Sequence, residues 1–249
     1  MTQATNRYTY TTTMRPRKKL AYKIILLLVL MGWGLTSPAQ QKLNLELKKE
    51  LEEIYALDQK FRVYIGQEFL PQKKLDSLAK AFSVSKEAVP KFLWEKQNQL
   101  DAANIKRVKE IIQQWGYPGR SLVGSPTNEV AYKVLQHTKE ADSYLPAIRE
   151  AAEKKELPFT LYATMLDKSM MQKNKEQLYG TQAHGFSVYD ADADEYDAKI
   201  IIWPIKDPDT VNERRKAAGF ELTVEENAQR LGVEYVVLTM EEVKEMKSR

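Results

Sequence analysis

The chain has 249 residues with no cysteine, and its 38 Lys and Arg stand against 34 Asp and Glu. The absence of cysteine excludes disulfides, thiolate metal sites, a catalytic thiol and a lipid-modified cysteine, so stability has to come from a packed core. Six of the basic residues and none of the acids lie in residues 1–40, leaving 32 against 34 beyond them, so the basicity belongs to the leader and offers no basic face to nucleic acid.

In the leader, Arg15, Arg17, Lys18, Lys19 and Lys23 precede an apolar run from Ile24 to Leu35. That order is the layout of a secretory signal peptide. The run has twelve residues, whereas a bilayer span needs roughly twenty, which favours cleavage over anchoring. Ser37 and Ala39 place small residues at the −3 and −1 positions. The expectation is a signal peptide over 1–39 and one exported domain over 40–249, periplasmic or secreted, with no membrane attachment after cleavage. Met14, just before RPRKK, makes as ordinary a start as Met1.

From Leu43 to about Gly66, Leu47, Leu51, Ile54, Phe61 and Ile65 recur on one helical face. LDSLAKAF (75–82) predicts a second, short helix. Ser85, Val89 and Pro90 open a third segment through Leu93 and Trp94, and its continuation from Asp101 carries Val108, Ile111 and Trp115 to a stop at WGYPG (115–119). Helices are predicted from about Thr127 to His137, Tyr144 to Lys154 and Pro158 to Met171. At QLYGTQAHGF (177–186) the period changes, and with KIIIWPI (199–205) it predicts an antiparallel hairpin over about 177–205. Thr210 with Glu213 and Thr223 with Glu226 read as capping boxes for two short helices ending near Gly219 and Gly232. EYVVLT (234–239) reads as a third strand before a charged terminal helix. The fold class is mainly α, of the α+β kind: a single helical domain with a small antiparallel hairpin or sheet in its C-terminal third.

Polar residues interrupt several apolar stripes. Asp58 fills the gap between Ile54 and Phe61, and stepping back from Trp115 through Ile111 and Val108 lands on Asn104 and Asp101. His137 follows Val130 and Val134, Asp167 shares a face with Ala163 and Met170, and Arg215, beside Arg214, lies between Val211 and Ala218. For each residue taken singly a structural role competes: Asp58 and Arg62 have the spacing of an ion pair, and Asp101 has the chemistry of a helix cap. Together, inward charges must neutralise one another or surround a ligand. Read as a strand, QLYGTQAHGF turns Tyr179 and Thr181 to one side and Gly180, Gln182 and His184 to the other, with Gly180 marking a close approach or a bulge and His184 facing solvent. Asp190, Asp192 and Asp194 alternate like calcium-loop ligands. Glu195 and Ile201 stand where that loop needs Gly and Glu, so the connector reads as a solvated turn.

At these residues the chain resembles a bacterial family described only as a domain of unknown function. The resemblance rests on Asp58-Gln59-x-x-Arg62, Asp101-x-x-Asn104, Gly116-Tyr117-Pro118, Ser121-x-Val123-Gly124, Gln136-His137, Asp167, Tyr179-Gly180-Thr181-Gln182, Pro204-Ile205 and Arg214-Arg215 with Gly219. Lys168 stands where the family usually has Arg, and Phe220 where it usually has Leu. Lys lacks the planar fork of Arg, which puts a bidentate contact there in doubt. The resemblance supports the site residues and carries no activity.

The expected site has His137, Asp58 and Asp167 as catalytic candidates. Gln59, Arg62, Asp101, Asn104, Gln136, Tyr179, Thr181, Gln182, Arg214 and Arg215 are its ligand-binding candidates, and Asp58, Asp101, Asn104, His137, Asp167, Tyr179, Gln182 and one of Arg214 and Arg215 are expected around one pocket. Two functions compete: a non-catalytic binding or envelope-interaction domain for a small-molecule or anionic ligand, and an exported hydrolase using Asp and His acid–base or metal-assisted chemistry on an anionic substrate. Whether the protein is an enzyme stays open, and metal, cofactor and oligomeric state are unassigned. P-loop, Gly-x-Ser-x-Gly, His-Glu-x-x-His and dinucleotide signatures are absent. If Asp58 and Asp167 serve a site, Asn at either should change stability by no more than about 1 kcal/mol.

Overall fold

A computed structural model describes residues 42–65, 70–190 and 194–248. The expected signal peptide lies outside the described residues, as does Asp192 of the acidic connector. Lys42–Arg249 forms one compact unit.

Helix α1, Leu45–Gln59, starts where Asn44 Oδ1 accepts the Leu47 amide at 3.0 Å, satisfying one of the first-turn donors. It buries Leu47, Leu51, Ile54 and Asp58, the stripe read from the sequence. One continuous helix to Gly66 is not what forms. The chain breaks after Gln59 and resumes as α2, Arg62–Ile65, because Gln97 inserts into the ladder. Its Nε2 donates to Asp58 O at 2.9 Å and its Oε1 accepts from Phe61 N at 3.1 Å. A side chain occupying main-chain partners is a physical cause of a helix break.

Helix α3, Gln72–Phe82, packs with Phe61, Val89 and Leu93 in a small cluster. Helix α4, Val89–Trp115, opens with Pro90 in its first turn and ends at Gly116, whose φ of +71° needs no Cβ. Asp101 therefore lies inside a 27-residue helix and is not a cap. The short α5, Arg120–Val123, and a 3-10 turn lead into α6, Val130–Leu135, followed by α7, Leu145–Glu153, and α8, Phe159–Gln172. The main core joins α1, α4, α6, α7 and α8 through Leu51, Ile111, Leu135, Ile148 and Met165.

Strands β1, Ala183–Asp190, and β2, Glu195–Ile202, form an antiparallel hairpin with Ala183 opposite Ile202. The strand starts at Ala183, so Gln177–Gln182 form a loop; Gln177 makes one bridge to Ile205. Strand alternation therefore does not orient Tyr179, Thr181 and Gln182. His184 is half-buried against Trp203, with ring centroids 5.4 Å apart. Residues 234–239 do not pair as a third strand, and the sheet has two strands.

Helix α9, Val211–Ala218, lacks the expected capping box: Thr210 Oγ1 donates to Asp207 O and accepts from Arg214 Nη1. The box at Thr223 and Glu226 is formed and opens α10, Val224–Arg230. Helix α11, Met240–Ser248, closes the described chain. Among the described residues no helix is long and apolar enough to cross a membrane.

Candidate functional site

The first polar group is assembled from α1, α2, α4 and the residues just after α6. Asp58 ends the apolar stripe of α1 and is 1% exposed. Its Oδ2 accepts from Gln59 Nε2 at 2.7 Å and its Oδ1 lies 3.4 Å from Arg62 Nη2, the expected i, i+4 pair. The stronger bond of Arg62 crosses to α4, where Nη2 donates to Asp101 Oδ1 at 2.6 Å. Gln97 donates to the same oxygen at 2.7 Å. Asn104 is buried and donates to Ile54 O at 3.3 Å, tying α4 to α1.

His137 follows the end of α6 and brings Nε2 to 3.9 Å from Asp58 Oδ1, beyond hydrogen-bond range. About a quarter of its side chain is exposed. Burial holds the imidazole below its ordinary pKa, helped by the Arg62 and Lys168 charges and opposed by Asp58 and Asp101. It is therefore neutral at pH 7. Arg62 Nε is buried without a partner among the described residues.

The second group is built differently. Asp167 faces inward from α8 and is fully buried. Its carboxylate accepts the amides of Leu178 at 2.8 Å and of Tyr179 and Thr181 at 3.1 Å, and the Thr181 hydroxyl at 2.9 Å. Burial pushes its carboxyl above the usual range, and these donors pull it back only in part. The loop closes on it because Gly180 holds φ +64°, and a Cβ there would stand 2.6 Å from Val224 Cγ2 and 2.8 Å from Ile205 Cδ1. The close approach at Gly180 is thus by core side chains. Arg215, 2% exposed, donates to Tyr179 O at 2.6 Å and Leu222 O at 2.8 Å. Arg214 donates to Leu178 O, Lys206 O and Asp207 O.

The candidates therefore fall into two groups, the first of which His137 joins without a hydrogen bond. Asp58, Gln59, Arg62, Asp101, Asn104 and His137 stand together, and Asp167, Tyr179, Thr181, Arg214 and Arg215 stand around the loop. Gln182 belongs with the second group, donating to Thr181 Oγ1 at 3.0 Å, and Lys168 acts on His137 of the first through its charge. Lys168 Nζ donates to Gln136 O at 3.1 Å, and both line a cleft of about 200 Å³ with Gln182, Tyr132 and Thr164. For Asp167 the geometry reverses the expectation that Asn would be tolerated. An amide NH2 has no lone pair for the Thr181 N–H, and a buried orphan donor costs about 1–3 kcal/mol.

Among the buried polar residues that the sequence did not single out, Gln97 and Gln177 bear most directly on the two groups. Gln97 is one further helical step back from Asp101, so the stripe contained it. Gln177 is also fully buried, with Nε2 donating to Gln182 O and Trp203 O and Oε1 accepting the Gln182 amide. Nothing in its loop sequence has a period that marks it.

Comparison with protein families matches residues 83–237, more than half of the chain, to the family of unknown function DUF6624. The chain belongs to this family. The matched region takes in Asp101, His137, Asp167 and the 177–182 loop and begins after Asp58, Gln59 and Arg62. No curated protein and no solved structure matches the chain. Among the described residues no group of three or more His, Asp or Glu is placed to hold a metal ion.

Proposed function

We propose that this DUF6624 member is an exported bacterial protein that binds a small ligand, without turning it over, where Arg62, Asp101 and His137 open beside the Gln136–Lys168–Gln182 cleft. The basic and apolar order of residues 15–35 supports export. The orphaned Arg62 Nε carries the ligand reading. A buried guanidinium N–H without an acceptor is costly, and the cluster around it reaches solvent through Arg62, Asp101 and His137. Arg62 and Lys168 supply the cations for an anionic end of the ligand, and Gln136 and Gln182 supply adaptable amides. Asp58 and Asp101 hold Arg62 in place. Asp167 supports the cleft by fixing the loop that carries Gln182.

One observation favours a second reading as a hydrolase: a neutral imidazole faces a buried carboxylate across 3.9 Å, in the order of a base and its orienting group. Thermal unfolding with phosphate, succinate, citrate and sugar phosphates tests the first reading. The expected result is stabilisation by at least one of them, lost in Arg62→Gln and kept in Arg214→Lys. Turnover of a phosphate ester or amide that disappears in His137→Gln would transfer the site to the second reading.

A further inference from the structure

A larger cleft, about 410 Å³, borders the same loop through Thr181, while Gln182 lines the first cleft. Arg215 lies at its floor. Phe220 stacks on that guanidinium with its centroid 4.6 Å away, and its Nε and Nη1 donate only to backbone carbonyls. Among the described residues no carboxylate lies within ion-pair distance of Arg215. Asp167, Glu225 and Glu226 act on it only from farther away, through their charge and without an ion pair, and Arg230 acts against them. A buried cation held by neutral carbonyls calls for a counter-charge. Arg230, exposed at the rim, adds a second guanidinium, and Glu221 is the one acid in the cleft wall. The remaining surface includes Leu161, Phe220 and Leu222.

We propose that this cleft is a second binding site, for a small organic carboxylate with an apolar body. Its carboxylate lies on Arg230 and Arg215, and its body lies against Leu161, Phe220 and Leu222. The site shares Thr164 with the first cleft but contains none of Arg62, Gln136, Lys168 and Gln182.

Amide chemical shifts of the protein, isolated from cells expressing the full chain, test this with benzoate, benzamide and inorganic phosphate as probes. Benzoate should give saturable shifts centred on Thr160, Thr181, Gly219 and Phe220. Benzamide, of the same shape without charge, and phosphate, charged without an apolar body, should bind more weakly. Arg230→Gln should weaken benzoate by about two- to fivefold and Glu221→Gln should strengthen it by a similar factor, as a rim charge does. Glu221 is exposed, and because Arg230 Nη2 donates to the buried Asn227 Oδ1 at 2.9 Å, Arg230→Lys, which keeps a donor and the charge, should restore benzoate binding. Equal binding of benzamide, shifts centred on Gln136 and Lys168, unchanged affinity in Arg230→Gln, or no shift with benzoate would each overturn the assignment.

Discussion

Asp58 and Asp167 are both buried carboxylates on helices, but their oxygens meet different chemistry. Those of Asp58 face one amide from its neighbour Gln59 and one guanidinium, with an imidazole standing off at 3.9 Å. Those of Asp167 are filled by three backbone amides and a hydroxyl from a single loop. Backbone donors are fixed by the fold and cannot be lent to a ligand, whereas side chains can repack around one. The source of the donors, rather than burial, separates a structural carboxylate from one available for binding.

The comparison breaks most readily at Gly180. Alanine there must adopt a left-handed backbone and overlap Val224 and Ile205, so Gly180→Ala should lower unfolding free energy by about 3 kcal/mol or more in urea. A loss below about 1 kcal/mol would mean that the loop yields and that Asp167 is not rigidly enclosed. Gln97→Ala comes next on the other side. It strips the partners from Phe61 N and Asp58 O, for an expected loss of about 2 kcal/mol. If stability is unchanged, the helix has healed across residues 60 and 61, and Gln97 does not set the position of Arg62.

The smallest effect sharpens the open side of the comparison. His137 has a lowered pKa in the folded protein, so the unfolded chain binds more protons between that value and 6.5. Stability should therefore fall as pH drops below about 6.5. His184, also lowered by burial, acts in the same sense, and Asp167, raised by burial, acts in the opposite one. The share of His137 is read as the difference between thermal melts of the parent and of His137→Gln across pH 5 to 8. Identical pH profiles would place His137 in solvent, away from the cluster.

Much of the helical half was legible because inward residues repeat at helical spacing. The stripes placed Asp58, Asn104, Asp167 and Arg215 inside, and all four are buried. They could not say which interior. The 177–182 loop defeated the reading for a physical reason: its shape depends on a carboxylate ten and more residues earlier and on a positive φ at Gly180, neither of which leaves a period. EYVVLT has strand-like composition, but a strand also needs an edge to pair with. At Thr210 the cap chemistry was present, but its hydroxyl is taken by Asp207 O and Arg214. Gln97 was within reach, one helical step beyond Asp101.

The contrast between the two carboxylates is tested most directly by unfolding Asp58→Asn and Asp167→Asn side by side in urea at pH 7. In Asp58→Asn the guanidinium keeps Asp101 at 2.6 Å, so the expected change is about 1 kcal/mol or less. In Asp167→Asn at least one loop amide loses its acceptor, and about 2 kcal/mol should be lost. Equal losses, or a larger loss at Asp58, would contradict the division into a carboxylate enclosed by backbone donors and one held by side chains that can repack.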